Sequence, residues 1–406
     1  MAGQCGVRAY DRCVAGHLRP WQAGADFGGR ARADDPGHAL LLGLWAKVST
    51  RKLMLLDVVH LNIALNTFGL VFLASFLSAI RAYVTTIVLL GLGPVIYLGF
   101  TGASPHWGCI GVASMAAVLP MSMVAREKEW LSAMGGHAYF AAGLVSLAIA
   151  ALVREPIGIM ALLISLGTVA TLAWRRRRAG QRLAGLAAMA LLVVMASAAP
   201  KWAVMSRDMA FDMQPAQHIQ TPGISHTLYI GLGVVPNRFG IPYDDLYGAA
   251  VVKAIAPDVI YCSPEYFRIV WKLYLDRIAE DPLEVARIYL KKAETILADS
   301  IIEPGLPLAV VLTVVIAHLL LATYFRAWRA IVFPQGFTVE FIVLVFIGFF
   351  VAQAILGHPS RLYAFPVGPL IVVLLGSLAD FGCRWLWVVS APARVRIASA
   401  IRRSIT

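Results

Sequence analysis

Long apolar runs recur along this chain, at about 59–80, 82–100, 106–124, 136–153, 157–174, 183–199, 305–325, 337–356 and 366–389. A helix needs about 20 such residues to cross a hydrocarbon layer of about 30 Å. Inside lipid every backbone N–H and C=O must be satisfied within the segment, which makes a run of this kind a helix. Of the 406 residues, 59% are hydrophobic and 14% charged, whereas a soluble domain carries about 25% charged residues. The cost of a charge in mid-bilayer accounts for the shortfall. The sequence thus predicts an all-α polytopic membrane protein with about nine transmembrane helices and one large, mainly helical extracytoplasmic loop.

A net charge of +12 would point to nucleic acid in a soluble protein. Here it belongs to topology, because Lys and Arg gather in cytoplasmic loops and beside anionic lipid. The expected partners are membrane lipids and not nucleic acid. Arg175 to Arg178, with Arg182, form the strongest cytoplasmic marker. Alternation along the chain brings Arg81, Arg126, Lys128, Arg326, Arg329 and the basic tail to the same side. The opposite short loops carry only Arg154 and Arg361. The chain then divides into an irregular outer segment 1–52, helices within 53–199, an outer loop domain 200–304, and further helices with a cytoplasmic tail in 305–406. Residues 1–38 lack the apolar core of a signal peptide. The five cysteines form no CxxC pair and no metal-ligand spacing.

The second half of the loop domain is punctuated for helices. Ser263-Pro264-Glu265 reads as an N-cap followed by Pro at the first helical position. Phe267, Val270, Trp271, Tyr274 and Ile278 follow at helical spacing. Asp281-Pro282-Leu283-Glu284 repeats the device and opens a second amphipathic helix to about 298. Gly231-Leu232-Gly233 lacks the βαβ context of a nucleotide fingerprint and reads as a tight turn.

Three outer clusters bear chemistry. One is Asp34-Asp35-Pro36-Gly37-His38, before an apolar stretch from Ala39 to Val48. Another runs from His226 through Asn237 and Gly240 to Asp244-Asp245. The third is His358-Pro359-Ser360-Arg361-Leu362-Tyr363, with Arg154-Glu155 as a fourth point. Carboxylates can deprotonate a hydroxyl or hold a divalent cation, Mg²⁺ or Mn²⁺, at the water interface. Arginine presents a fork of donors suited to phosphate oxygens. The bland readings are a solvated acidic pair at Asp34-Asp35, turn residues at Asp244-Asp245, and an interfacial arginine at Arg361. Within the spans, Asp57, His60, Asn62, Asn66, His318, Glu340 and Asp380 are the polar exceptions; those near span ends cost little.

On these stretches the chain resembles the GT-C superfamily of polyprenyl-phosphate-sugar-dependent glycosyltransferases, the relatives of protein mannosyltransferases and aminoarabinose transferases. Pro36 to Leu44 looks like the end of that family's first outer loop. Leu152 to Pro156, followed by a span ending in Arg175–Arg178, is similar to its mid-membrane helices. His358 to Pro366 looks like the loop before a late helix. The resemblance implies a bacterial inner-membrane enzyme that moves a sugar from a polyprenyl-phosphate donor to a lipid, glycan or protein acceptor, with the large loop periplasmic. It implies Asp34 or Asp35 as the base and Arg361, with His358 and Arg154, as donor-phosphate contacts. Asp244, Asp245 and His226 are then acceptor or metal contacts. The family has more spans, eleven or more, and a helix before its first outer loop; here either the N-terminal segment crosses unaided or, as the resemblance implies, a helix lies upstream of residue 1.

Two rivals remain open at this point. A transporter or flippase of a lipid-linked intermediate would depend on Asp57, His60 and His318 within the bundle. A glycan polymerase or ligase would share the large outer loop.

Overall fold

The computed structural model describes residues 41, 55–98, 109–210, 223–298, 300–302, 306–324, 336–359 and 367–390. Within the described residues the apolar runs are helical, apart from the short strand at Leu306–Pro307. The first six give α1 (Leu55–Ala79), α2 (Tyr83–Leu98), α3 (Cys109–Glu127), α4 (Ala133–Val153), α5 (Glu155–Arg178) and α6 (Ala184–Ala210). The loop domain holds α7 (Ile224–Gly231), α8 (Asp245–Ile255), α9 (Pro264–Glu280) and α10 (Pro282–Ala298). The last runs give α11 (Leu308–Tyr324), α12 (Gly336–Leu356) and α13 (Gly368–Val389). Among the described residues, six helices are long and apolar enough to cross a membrane: α1, α4, α5, α6, α12 and α13.

Helix α3 is the axis of the bundle. Every residue from Gly111 to Ala125 is buried, and the helix packs against α1, α4, α5, α12 and α13. Lipid tails are as apolar as leucine, so helices in a membrane associate through close packing and interhelical hydrogen bonds. The α1–α3 contact shows both. A Cβ added at Gly111 would fall 2.2 Å from the Leu65 carbonyl oxygen, and one at Gly69 would fall 2.2 Å from that of Gly111. The Gly111 N–H, in the first turn of α3, donates to Asn66 Oδ1 at 2.9 Å. Asn66 thus closes a helix terminus that its own backbone leaves open.

At one end of the bundle α3 and α5 are clasped by charge. Arg176 Nε donates to Glu127 Oε1 at 2.9 Å, and its Nη2 to Glu127 Oε2. The two helices therefore run in the same sense, as the alternation of basic loops requires. Helix α5 starts with Glu155 and Pro156 and ends in four arginines, the charge order that its dipole favours. Lys201, late in α6, lies 3.3 Å from Glu155. The chain thus leaves the bundle for the loop domain at the end opposite the arginines.

The loop domain has its own core, built on Tyr229, Leu232, Val252, Tyr266, Val270 and Ile288. Both helix starts follow the sequence: Ser263 Oγ accepts from Tyr266 N at 3.2 Å, and Asp281 Oδ1 from Glu284 N at 3.0 Å. Glu284 is buried, with Arg287 Nε 2.7 Å from its Oε2 and Arg238 N 3.0 Å from its Oε1. Those bonds, Arg287's first, push its carboxyl down to about 2. Helix α10 rests on α11 and α12, which seats the domain on the bundle.

Several sequence expectations change. Helix α6 runs to Ala210, past Pro200 and beyond the boundary expected at 199, because hydropathy marks the edge of lipid and not the end of a helix. Gly231-Leu232-Gly233 is not a free turn: Gly231 ends α7 and residues Leu232–Val234 continue as a 3-10 turn. A Cβ at Gly233 would lie 2.2 Å from the Pro242 carbonyl carbon, so the requirement there is close approach. The buried stripe of α9 is Tyr266, Val270 and Tyr274, with Trp271 exposed. Asp57 is buried while His60 is exposed, so the two do not share one environment. A short antiparallel pair, β1 (Ser300–Ile302) with β2 (Leu306–Pro307), joins the loop domain to α11.

Candidate functional site

The second and third sequence clusters meet on the loop-domain end of the bundle. His226, on α7, is wholly buried. Its Nδ1 lies 2.6 Å from the Tyr266 hydroxyl and its Nε2 lies 3.0 Å from Asp245 Oδ1. Tyr261 meets the imidazole edge-on, with ring centroids 5.8 Å apart. Helix α8 can lie across this ring because residue 248 is glycine; a Cβ there would come 2.9 Å from His226 Cε1.

The hydrogen bond from His226, helped by its charge when protonated, holds the Asp245 carboxyl below the ordinary Asp range. An ionised Asp245 can only accept, so the bond places the imidazole proton on Nε2. Nδ1 then accepts from Tyr266, whose hydroxyl is kept protonated chiefly by burial. The result is a chain of three groups running from a buried phenol to a carboxylate that is 65% exposed. Asp245 is also the first residue of α8, where a negative charge is favoured. Its neighbour Asp244 acts differently, its side chain accepting from Leu246 N at 2.9 Å and so capping the helix. That is the turn-type role, and it occupies one oxygen of the expected acceptor contact.

His358 joins this group through Tyr243, with ring centroids 4.6 Å apart. Tyr243 stands two residues before Asp245, a step of at most about 7 Å along the backbone. Behind His358 lies a residue that the sequence pattern did not single out. Lys292 is fully buried and its Nζ donates to the Gly357 carbonyl at 2.7 Å, at the C-terminal end of α12. Burial pushes the amine down to about 8. Burial also lowers the His358 imidazole, and the charge of Lys292 lowers it further. A signal was present: Lys292 falls in register with Val285, Ile288 and Ile296 on the buried stripe of α10, where a lysine is out of place unless it has a partner.

Arg154 is the single-residue joint between α4 and α5; its carbonyl accepts from Ile157 N at 3.0 Å and Gly158 N at 3.2 Å. The Glu155–Lys201 pair puts it at the bundle end from which the chain leaves for the loop domain. Asp34, Asp35 and Arg361 lie outside the described residues. Among the described residues no group of three His, Cys, Asp or Glu side chains forms a metal cage, and Asp245 brings a single carboxylate to its site.

A second polar group lies within the bundle. Ser377 donates to Glu340 Oε1, and His318 Nε2 lies 3.6 Å from the same oxygen. The three residues come from α13, α12 and α11, and Phe381 packs on the His318 ring at 4.8 Å.

The helices and their lengths define a multi-pass helical membrane protein carrying a folded loop domain. Comparison with protein-family models, with curated proteins and with solved structures finds no match to this chain.

Proposed function

We propose that the protein is an integral-membrane glycosyltransferase of about nine spans. It takes a sugar from a polyprenyl phosphate and passes it to a lipid, glycan or protein acceptor on the loop-domain side of a bacterial inner membrane. The observation that supports this is the Asp245–His226–Tyr266 chain next to His358: an exposed carboxylate beside a partly exposed imidazole able to donate to a phosphate. The GT-C resemblance of the His358 to Pro366 stretch supplies the substrate class.

In this reading the acceptor oxygen attacks the anomeric carbon as the bond from that carbon to the phosphate oxygen breaks. The acceptor proton passes to Asp245, which His226 holds ionised and aimed outward. Polyprenyl phosphate leaves with the bonding electrons; Arg361 offsets its charge and the neutral His358 imidazole offers it an N–H donor. A positioned base contributes about 10²–10⁴-fold to such a step. Asp34 and Asp35, the acids the resemblance puts in that role, compete with Asp245 for it.

The test is transfer of labelled sugar from polyprenyl phosphate in isolated membranes, at matched protein level. Asp245→Asn should lower the rate about 10²-fold or more, with Asp34→Asn plus Asp35→Asn close to wild type. The reverse outcome moves the base to the first loop. Unchanged transfer in both variants overturns the enzyme reading.

The His318–Glu340–Ser377 group favours a second reading, a transporter or flippase of the lipid-linked intermediate. Intramembrane ionisable groups commonly mark a translocation path. Glu340→Gln separates the two: it stops a transporter and leaves a transferase active.

A further inference from the structure

The cavity at the arginine end of the bundle, remote from the loop domain, serves neither reading. It measures about 360 Å³ and lies between the ends of α3 and α5 and the start of α6. That is at the lower end of ligand-site volumes, about 300–1,000 Å³. It is lined by the buried Met123, Leu172, Leu186 and Met189, by Glu127, Arg176 and Gln181, and by the exposed Arg126 and Glu129.

The rim is mixed in charge, and the mixture is only half neutralised from within. Arg176 and Glu127 hold each other. Among the described residues Arg126 and Glu129 take part in no ion pair or side-chain hydrogen bond. One free guanidinium and one free carboxylate thus face the same opening. Glu129 also sits at φ 56°, a left-handed conformation that glycine would take without cost. The chain keeps a carboxylate there.

We propose that this cavity binds the headgroup of a membrane phospholipid that carries a primary ammonium on its phosphate diester, the chemistry of phosphatidylethanolamine. The phosphate lies toward Arg126 and the outer edge of Arg176, where guanidinium donors match its oxygens. The ammonium lies toward Glu129 and the Gln181 amide oxygen. The glycerol ester region and the acyl chains continue along the lipid-facing side of the helices. An anionic lipid without the ammonium would satisfy Arg126 and leave Glu129 facing a second negative charge. A soluble headgroup would make the same two charge contacts and lack the acyl chains that hold a lipid beside the helices. The cavity opens at the boundary between the bundle's apolar helices and its basic turn, the depth at which a lipid headgroup lies.

Gly185 offers a test that does not disturb the fold, because a Cβ there meets nothing within 4 Å and the residue lines the cavity. The full chain in detergent would be titrated with phosphatidylethanolamine, with phosphatidylglycerol and with free phosphoethanolamine while its thermal unfolding is followed. Phosphatidylethanolamine should raise the Tm by about 5 °C near saturation. Gly185→Leu, which fills the space, should abolish that rise while unfolding no earlier than wild type without lipid. Glu129→Gln should reduce the phosphatidylethanolamine rise to the level given by phosphatidylglycerol. A full rise in Gly185→Leu, or an undiminished one in Glu129→Gln, overturns the proposal. An equal rise with free phosphoethanolamine overturns the assignment to a lipid.

Discussion

The membrane bundle and the loop domain solve the same packing problem with opposite materials. Where α1 crosses α3 the contact is made by what is missing: Gly69 and Gly111 bring two backbones together and Asn66 bonds an amide across the gap. Where α7, α8 and α9 meet, the contact is made by large side chains, a histidine between a tyrosine and an aspartate under a second tyrosine. The contrast follows from solvent. Water rewards the loop domain for burying aromatic surface, whereas lipid gives no such reward and leaves close contact and hydrogen bonds to hold helices together.

The sharpest way to break this contrast is Gly111→Val. Its methyls would enter the space of the Leu65 carbonyl, and the bundle should lose about 3 kcal/mol or more, seen as a lower yield of folded protein in detergent. Tyr266→Phe comes next. It strips His226 Nδ1 of its donor inside the loop domain, at a cost of about 2 kcal/mol. Hydrogen exchange should rise in α7, α8 and α9 and stay unchanged in α3; a rise in α3 would mean the two regions unfold as one.

Acid sharpens the same boundary. Glu284 has its folded value depressed to about 2 from an ordinary 4.5. The stability it adds is therefore fully present above the ordinary value and is lost as the pH falls through the folded one. The gap in loop-domain Tm between wild type and Glu284→Gln should close as the pH drops from about 4.5 to about 2. A gap that persists at the lower limit would mean that the pairing with Arg287 and Arg238 is not what stabilises the loop. The smallest effect is expected at Gly167, where a Cβ meets nothing within 4 Å. Gly167→Ala should stabilise α5 by about 0.5–1 kcal/mol, opposite in sign to Gly111→Val, because Gly167 is exposed and Gly111 is buried against α1.

The bundle was largely legible in the sequence, because the bilayer imposes one length and one polarity on whatever crosses it. The runs around 136–153 and 337–356 match α4 and α12 to within a few residues. The loop domain was legible where capping chemistry is local, at Ser263 and Asp281, and opaque before that. Helix α8 opens with two aspartates whose roles differ only through α7: Asp244 turns back to its own helix, and Asp245 reaches a histidine 19 residues upstream. Nothing in the spacing of two adjacent acids separates a cap from a partner of His226. Lys292 failed to stand out for a related reason. Its acceptors, Leu356 and Gly357, lie more than 60 residues away, and a lysine in an amphipathic helix is ordinarily solvated.

The Lys292 anchor has a mechanical consequence. From inside the loop domain it grips the carbonyl end of α12 through Leu356 and Gly357. That helix carries Glu340 at its far end, against His318 and Ser377. One buried amine therefore ties the loop domain to the same helix that brings Glu340 to its partners.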